Sequence, residues 1–308
     1  MRNRFVNTLQ KIAKKDKNVF LITGDLGYGV LTSFWEELPS QFVNAGIAEQ
    51  NMTSVAAGMG LSGKTVFTYS IGNFPTLRCL EQIRNDVLYH KSNVKIVAVG
   101  GGFAYGALGM SHHATEDIGV MRSLPGITIF SPCDPIETEA VTKAACRIYG
   151  PCYIRLGKGG EKDIHKSPIK FKIGKAIKIL DGTEVAIIST GGITEEAYRA
   201  AETLSKNKIS TALYSFHTIK PLDIELIHKI SKQAKLIVTV EEHNIVNGLG
   251  TAVADALCEI EGKKPGLLKI GLADVYTSVV GSQNYLRKYY KMDAKSIIGK
   301  IKKRLKDA

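Results

Sequence analysis

The segment QFVNAGIAEQNMTSVAAGMG, residues 41–60, combines an apolar helical pattern with a single carboxylate, Glu49. The positions i, i+3, i+4 and i+7 of one helix face are all apolar here: Met52, Val55, Ala56 and Met59. Glu49 stands three residues before Met52, so we expect its side chain to point to the same buried side. A structural role is one explanation, because a carboxylate in the first turn is favourable beside the positive end of the helix dipole.

Outward from this segment, β-rich runs alternate with helical patterns, which indicates parallel sheets covered by helices. The predicted strands are NVFLIT, KTVFTY, VKIVAVG, GITIFS and PCYIRL, followed in the second half by TEVAIIST, ISTALYS, KLIVTVEE and LLKIGL. Helical spacing covers about 3–16, 48–61, 75–90 and 134–148. We therefore predict an α/β protein with two parallel-sheet-containing domains, residues 1–157 and 175–308, joined by a glycine- and lysine-rich linker at 158–174.

The composition favours a soluble, cytoplasmic protein. The chain has 308 residues, of which 44% are hydrophobic, and its sequence has no apolar run near the ~20 residues that a membrane helix needs. Its first residues lack the apolar core of a signal peptide. The five cysteines are odd in number and contain no CxxC pair, so we predict neither a disulfide framework nor a zinc site, but buried thiols: Cys79, Cys133, Cys146, Cys152 and Cys258.

The net charge of +12 raises nucleic acid as a partner. The excess is mostly lysine spread along the second half, as in IIGKIKKRLKDA, without interleaved aromatic residues. Basic runs of this kind are typical of solvated helix faces. We therefore predict that the chain binds no nucleic acid and no membrane.

Several longer motifs occur in a specific order along nearly the entire chain. They are TGDLG (23–27), GIAEQNM (46–52), EQIRND (81–86), SHHATEDIGVMRSLPGITIFSPCDP (111–135), GPCYIRL (150–156), EVAIISTGG (184–192), HTIKPLD (217–223) and VEEHNIVNGLGTAVADAL (240–257). In order and approximate spacing, they resemble the pyrimidine-binding and C-terminal domains of the transketolase family of thiamine-diphosphate enzymes.

The resemblance implies a catalytic role for Glu49. In this family the glutamate of GIAEQ hydrogen-bonds the cofactor's pyrimidine nitrogen and favours the imino tautomer, which then removes the thiazolium proton to form the ylide. Such chemistry needs a carboxyl group in a dry pocket, where desolvation raises its pKa. Gln50, beside it, is expected to contact the cofactor. The implied reaction is transfer of a two-carbon ketol unit from a ketose donor to an aldose acceptor.

One element of the family is missing. Family members hold the cofactor's diphosphate through Mg²⁺, which is bound by a GDG sequence and a later asparagine, and magnesium commonly pairs carboxylates with phosphate oxygens. The sequence contains no GDG. Because the family also exists in split form, we predict that this chain is the C-terminal subunit, with no metal site of its own. An N-terminal partner would hold the Mg²⁺, and a homodimer of this chain would lie within a heterotetramer.

Further cofactor contacts follow from the resemblance. Asp25 of GDLG is expected to line the cleft, although an acidic residue after a strand is equally typical of a turn. Phe74, just before the EQIR helix, is expected to stack on the aminopyrimidine. Counting from the helix gives that slot to Pro75, so Tyr69 and Phe67 remain alternatives.

Substrate contacts are expected in the loop GGGFAYGALGMSHHATED, since loops after strands carry ligand contacts in α/β sheets. His112 matches the histidine that reaches the substrate in this family. For His113 a structural or solvated position is expected. Glu116 and Asp117 are predicted to be an acidic pair that opens a helix, without a role in chemistry.

Departures from the family bear on the substrate. Leu108 and Gly100 stand where typical members have an aspartate and a histidine that hold the sugar. Lys158 occupies the place of a phosphate-binding arginine, with Arg2 as a second candidate; lysine binds an anion as a point charge and lacks the bidentate fork. We expect a small sugar or sugar phosphate, while an unusual ketose, a nucleotide-linked sugar or another 2-oxo donor are alternatives.

Three other functions are compatible with the motifs. A β-subunit of a 2-oxo-acid dehydrogenase shares both domains and also lacks GDG. A 1-deoxyxylulose-phosphate synthase-like enzyme would decarboxylate pyruvate. A non-catalytic scaffold subunit could keep the fold, although Glu49 at its motif position argues against it.

Overall fold

Two sheets, of seven and five strands, organise the part of the chain that the computed structural model describes, residues 1–166 and 168–307. The strands are β1 (Val19–Thr23), β2 (Phe42–Asn44), β3 (Thr65–Ile71), β4 (Val94–Val99), β5 (Thr128–Phe130), β6 (Cys152–Leu156), β7 (Ile177–Leu180), β8 (Val185–Ser189), β9 (Thr211–Ser215), β10 (Thr218–Lys220), β11 (Leu236–Asn244) and β12 (Gly266–Leu272). The helices are α1 (Arg2–Ala13), α2 (Thr32–Glu37), α3 (Glu49–Leu61), α4 (Leu80–Gln82), α5 (Asp117–Ser123), α6 (Pro135–Arg147), α7 (Thr194–Lys206), α8 (Ile224–Ser231), α9 (Leu249–Cys258), α10 (Gln283–Tyr289) and α11 (Ala294–Lys306). Within these ranges, no helix is long and apolar enough to cross a membrane.

The first sheet has the strand order β10-β5-β6-β4-β3-β1-β2. Its pairs are parallel except for β10, which runs antiparallel to β5 with Thr218 opposite Phe130. One apolar cluster packs α1, α2 and α6 on one face, and a second packs α3 and α5 on the other. The second half of the chain thus supplies an edge strand to the sheet of the first half.

The second sheet has the order β12-β11-β8-β9-β7, with β7 antiparallel to β9. The α/β class with mostly parallel sheets is confirmed. The sequence did not indicate the two antiparallel edges, because β7 and β10 have only four and three residues and contain lysines. Edge strands tolerate such polar residues because one side faces away from the sheet.

The helix α3 buries the predicted face except at Val55. Met52 and Ala56 are fully buried, but Val55 is 41% exposed. The buried positions are Glu49, Met52, Thr53, Ala56, Ala57 and Gly60. Small residues on this face allow a close approach: a Cβ on Gly60 would lie 2.3 Å from Ser92 Oγ. Steric fit, together with side-chain hydrophobicity, therefore sets the rotation of the helix.

The linker is fastened to α6 by hydrogen bonds. Asp134, the N-cap of this helix, accepts the backbone N–H groups of Ile164 and His165, each at 3.0 Å. His165 Nε2 lies 2.9 Å from Glu137 Oε1 and 3.8 Å from Cys133 Sγ. In the described ranges, these three side chains are the one group whose candidate metal-binding atoms all lie within 4.8 Å of one another. Because these side chains bond to one another and to the backbone, they hold the linker against α6.

The prediction that all five cysteines are buried thiols is wrong for two of them. Cys146 is half-buried and Cys258 is exposed near the end of α9. Both lie in the last turn of a helix, where the surface begins. All five are free thiols.

Candidate active site

Four of the predicted site residues follow neighbouring strands of the first sheet at their carboxyl ends. Asp25 follows β1, Phe74 follows β3, His112 follows β4 and Lys158 follows β6. The strands concerned are adjacent in the order β6-β4-β3-β1. The carboxyl edge of a parallel sheet is the usual location of ligand sites in α/β proteins. Topology therefore gathers residues that are up to 133 positions apart in sequence, from Asp25 to Lys158.

Glu49 is the first residue of α3, and its side chain is only 2% exposed. Its Oε1 accepts a hydrogen bond from Ser70 Oγ at 3.1 Å, and its Oε2 accepts one from Arg78 Nη1 at 2.7 Å. Gly24 closes the other side, where a Cβ would stand 3.2 Å from Glu49 Cγ. The predicted burial is present, but the pocket is not free of charge because Arg78 forms an ion pair with the carboxylate.

Arg78 was not among the predicted site residues. Its guanidinium carbon lies 4.5 Å from the ring centroid of Phe74, and its side chain is 44% exposed. Gln50 Nε2 donates to the backbone carbonyl of Arg78 at 3.1 Å. A sequence signal exists, since this arginine lies in the segment directly after β3, but its reach to α3 is a tertiary contact that periodicity does not show.

Phe74 is the one of the three candidate aromatic residues that lies beside His112. Its ring lies 5.2 Å from that of His112 in an edge-to-face arrangement. Phe67 and Tyr69 instead pack on Phe5 in the core, with ring centroids at 5.9 and 6.3 Å. The geometry therefore favours Phe74 as a platform for a flat ligand.

Asn73 connects the segment after β3 to the loop of His112. Its Nδ2 donates to the backbone carbonyls of His113 and Ser111, at 3.0 and 3.3 Å.

Partial burial, with a smaller contribution from His113, lowers the pKa of His112. At neutral pH His112 is thus a neutral imidazole, which can donate a hydrogen bond from one nitrogen and accept one at the other.

His113 was expected to be either structural or solvated, and it has a structural position. It is 2% exposed, and its Nε2 lies 3.1 Å from the carbonyl of Gly106. Its Nδ1 contacts Thr277 Oγ1 in the second half of the chain. This histidine therefore holds the loop in place and does not face a ligand.

Asp25 adopts a left-handed backbone conformation, with φ of 55°. Its Oδ1 accepts hydrogen bonds from Asn44 Nδ2 at 2.9 Å and from Tyr28 Oη at 2.8 Å. These bonds lower the pKa of Asp25, so it is ionised at neutral pH. A non-glycine residue at positive φ is uncommon and occurs often at ligand sites.

Lys158 is linked to His112 through one aromatic residue. Its Nζ lies 5.1 Å from the ring centroid of Tyr105, whose ring lies 6.4 Å from that of His112. Arg2, at the start of α1, donates from Nε to Asn3 at 3.4 Å. Within the described residues, hydrogen bonds and ion pairs do not join Arg2 to Lys158 or His112.

A buried ion pair between Arg155 and Asp117 anchors the loop of His112. Asp117 begins α5 as predicted, but it is fully buried and accepts from Arg155 Nε at 2.7 Å and from Tyr153 Oη. Arg155 Nη2 also donates to the carbonyls of Ala114 and Glu242, at 2.8 and 2.9 Å. Burial alone would raise the pKa of Asp117, but the charges of Arg155 and His243 and these hydrogen bonds hold it below its ordinary value.

Comparison with known proteins identifies both halves of the chain. Residues 1–160 match the transketolase pyrimidine binding domain, and residues 174–297 match the transketolase C-terminal domain. A Methanocaldococcus jannaschii protein, provisionally assigned as a transketolase C-terminal section, is 39% identical over 99% of this chain and 96% of its own. A subunit of the apulose-4-phosphate transketolase of Phocaeicola vulgatus is 40% identical over 84% of this chain and 83% of its own.

A solved structure agrees with these relatives. A split gene transketolase, described as an inactive beta4 tetramer, superposes with a TM-score of 0.90 at 34% identity. The alignment covers 98% of this chain and 97% of the other. The resemblance predicted from the motifs is confirmed, and the chain belongs to the transketolase family, of which it carries the pyrimidine-binding and C-terminal domains.

Proposed function

We propose that this chain is the C-terminal subunit of a two-chain transketolase that uses thiamine diphosphate and moves a two-carbon ketol unit from a ketose to an aldose. The observation that carries the proposal is the buried carboxylate of Glu49, held at the carboxyl edge of the sheet within reach of the ring of Phe74. Its neighbours in the sequence are those of the family motif. Acids are seldom fully buried unless they are paired, and this paired acid is 2% exposed.

The residues fit the aminopyrimidine of the cofactor. The guanidinium of Arg78, which is flat and carries donors on its edge, already lies between Phe74 and Glu49. A flat heterocycle would stack on the same ring, and its ring nitrogen would share a proton with the carboxyl group of Glu49. Gln50 and Asp25 are the further cofactor contacts that we propose.

When bound, thiamine diphosphate supplies a nucleophilic carbon and an electron sink for carbon–carbon cleavage. Glu49 would hold a proton between its carboxylate and the pyrimidine nitrogen opposite the amino group. Its enclosure by Gly24, Ser70 and α3 excludes water from that hydrogen bond. His112, neutral at neutral pH, would hydrogen-bond the substrate from the loop after β4.

The diphosphate and Mg²⁺ would be held by an N-terminal partner chain. Two facts support this division: the sequence contains no GDG element, and the 34% identical split gene transketolase is described as inactive when it forms a tetramer of β chains. We propose a homodimer of this chain within a heterotetramer. Such an assembly places a complete site only where the two kinds of chain meet.

The substrate is proposed to be a small ketose, phosphorylated or free. The relative named for apulose-4-phosphate favours a phosphorylated donor. Lys158 is the cation we propose for its phosphate, with Arg2 as a second contact. The site would operate in the cytoplasm.

The test is substitution of Glu49 by glutamine in the two-chain complex. Turnover with a panel of ketose donors should fall by about 10²–10⁴-fold, the usual contribution of a positioned proton-transfer group, while the circular dichroism spectrum stays unchanged. The matched control is Glu259→Gln, because Glu259 is an exposed acid at the end of α9. A Glu49→Gln variant with near wild-type turnover would refute the assignment.

The products distinguish the other functions. Acylation of a lipoyl domain would identify a 2-oxo-acid dehydrogenase subunit, and release of CO₂ from pyruvate without lipoyl acylation would identify a 1-deoxyxylulose-phosphate synthase-like enzyme. Failure of the complex to bind thiamine diphosphate at all would identify a scaffold. Each of these results would contradict ketol transfer.

A further inference from the structure

Arg78 makes, within one chain, the two contacts that we assign to the cofactor's aminopyrimidine. Its guanidinium carbon lies 4.5 Å from the centroid of the Phe74 ring. Its Nη1 donates to Glu49 Oε2 at 2.7 Å. Stacking on an aromatic face and hydrogen bonding to a carboxylate are both favourable for a flat, cationic guanidinium.

On the face of Phe74 that the guanidinium covers, Arg78 and a heterocycle compete for the same space beside Glu49. One face of Phe74 is covered by the guanidinium, and Glu49 Oε1 already accepts from Ser70. A pyrimidine nitrogen that hydrogen-bonds Glu49 against Phe74 would have to take the place of Nη1. Binding on this face therefore requires the side chain of Arg78 to leave.

We propose that Arg78 is a placeholder, a side chain that occupies the position of the aminopyrimidine in the cofactor-free subunit. There it keeps Glu49 in an ion pair, and it rotates into solvent when the cofactor binds. The inference rests on the proposed function, since it names the regulation of that same site. Thiamine diphosphate is then the ligand that competes with Arg78.

Burial explains why such a device is needed. A carboxylate at 2% exposure without a partner is strongly unfavourable. Because the partner chain would complete the cofactor site, this chain has to fold with the carboxylate of Glu49 enclosed before the partner and the cofactor bind. The ion pair with Arg78 satisfies it during that period.

The surroundings allow Arg78 to move. Its side chain is 44% exposed, so one side is open to solvent. Gln50 is bonded to the backbone carbonyl of Arg78 and not to its side chain. The guanidinium can thus swing into water by side-chain rotation while the backbone of this segment stays anchored.

The first measurement uses the full chain alone. Urea unfolding of the wild type, Arg78→Ala, Glu49→Gln and the double variant gives the coupling between the two side chains. We expect Arg78→Ala to lower the folding equilibrium constant about tenfold or more when Glu49 is present, and much less in the Glu49→Gln background. Equal effects in both backgrounds would overturn the proposal.

The second measurement is the affinity of the two-chain complex for thiamine diphosphate with Mg²⁺. Arg78→Ala should bind the cofactor about tenfold more tightly or better, by a factor that matches the coupling in the free chain (tenfold is about 1.4 kcal/mol). Arg78→Met, which keeps the apolar stem but has no donor, should behave alike if the alanine variant folds poorly. The control Arg147→Ala, an exposed arginine at the end of α6, should leave the affinity unchanged.

Unchanged or weaker binding by both Arg78 variants would overturn the placeholder, because Arg78 would then be neutral or would help to hold the cofactor. This result is distinct from failure of the proposed function. In that case the wild-type complex itself binds no thiamine diphosphate, and both proposals are overturned together.

Discussion

Replacing Arg155 by methionine should destabilise the chain by about 3–5 kcal/mol, the usual result of removing one partner from a buried ion pair. Asp117 is fully buried and Arg155 is 5% exposed, with 2.7 Å between Nε and Oδ2. Methionine keeps an apolar stem of similar length, so the loss of charge and donors dominates. Arg155 also donates to Ala114 and Glu242, which leaves two further carbonyls without that donor.

The perturbation has a defined pH dependence. In the wild type, the pKa of Asp117 is lowered in the folded state. Its ionised carboxylate therefore stabilises the fold at pH values above the ordinary pKa of about 3.9, and this stabilisation is lost as the pH falls through the lower pKa of the folded state. Without Arg155, burial should dominate and raise the pKa of Asp117. The difference in stability between variant and wild type should therefore be largest at neutral pH and should shrink as the pH falls toward 4.

Urea unfolding followed by circular dichroism measures the effect, and thermal unfolding should show a midpoint lower by about 5–8 °C. The double variant Arg155→Met with Asp117→Asn removes both charges and should recover part of the lost stability. A loss below about 1 kcal/mol, or a difference that grows as the pH falls, would refute the description of this pair as a buried charge pair.

Three further predictions concern the linker, the second sheet and the substrate. Burial would lower the pKa of His165, but the pair with Glu137 raises it above its ordinary value. The stabilisation from this pair is complete below about pH 6.5 and is lost as the pH rises through the raised pKa. Limited proteolysis of the linker should therefore quicken at alkaline pH, and the His165→Gln variant should be cleaved rapidly at every pH. Gly182→Ala should destabilise the chain by about 1–3 kcal/mol, because a Cβ would lie 2.2 Å from the backbone of β9, whereas Gly299→Ala, with open space in α11, should stabilise it by about 0.5–1 kcal/mol in the same thermal unfolding assay. Lys158→Ala should raise KM for phosphorylated donors severalfold with little change in kcat; an equal effect on unphosphorylated donors would contradict its phosphate role.

Much of the fold could be predicted because its strands are long and apolar. The runs that became β3, β4, β8 and β11 are buried along most of their length, and their β-rich composition marks them in the sequence. By contrast, β10 contains only Thr218–Lys220, and its partner lies in the other half of the chain. Short edge strands depend on tertiary pairing, which local patterns do not contain.

The candidate site was predictable where a motif names the residue and not where a contact completes it. Glu49 stands in GIAEQ at the start of an apolar helix face, so its burial could be expected. Arg78 reaches it from 29 positions away, and Arg155 reaches Asp117 across 38 positions. Asp117 could therefore be read as a helix-opening acid, although its burial depends on a distant arginine.

The most direct test of the half-site is a calorimetric titration with thiamine diphosphate and Mg²⁺, performed on this chain alone and on its complex with the N-terminal partner. We predict no tight binding by the isolated chain and saturable binding by the complex, with one cofactor for each pair of unlike chains. Tight, magnesium-dependent binding by this chain alone, or no binding by the complex, would contradict the account.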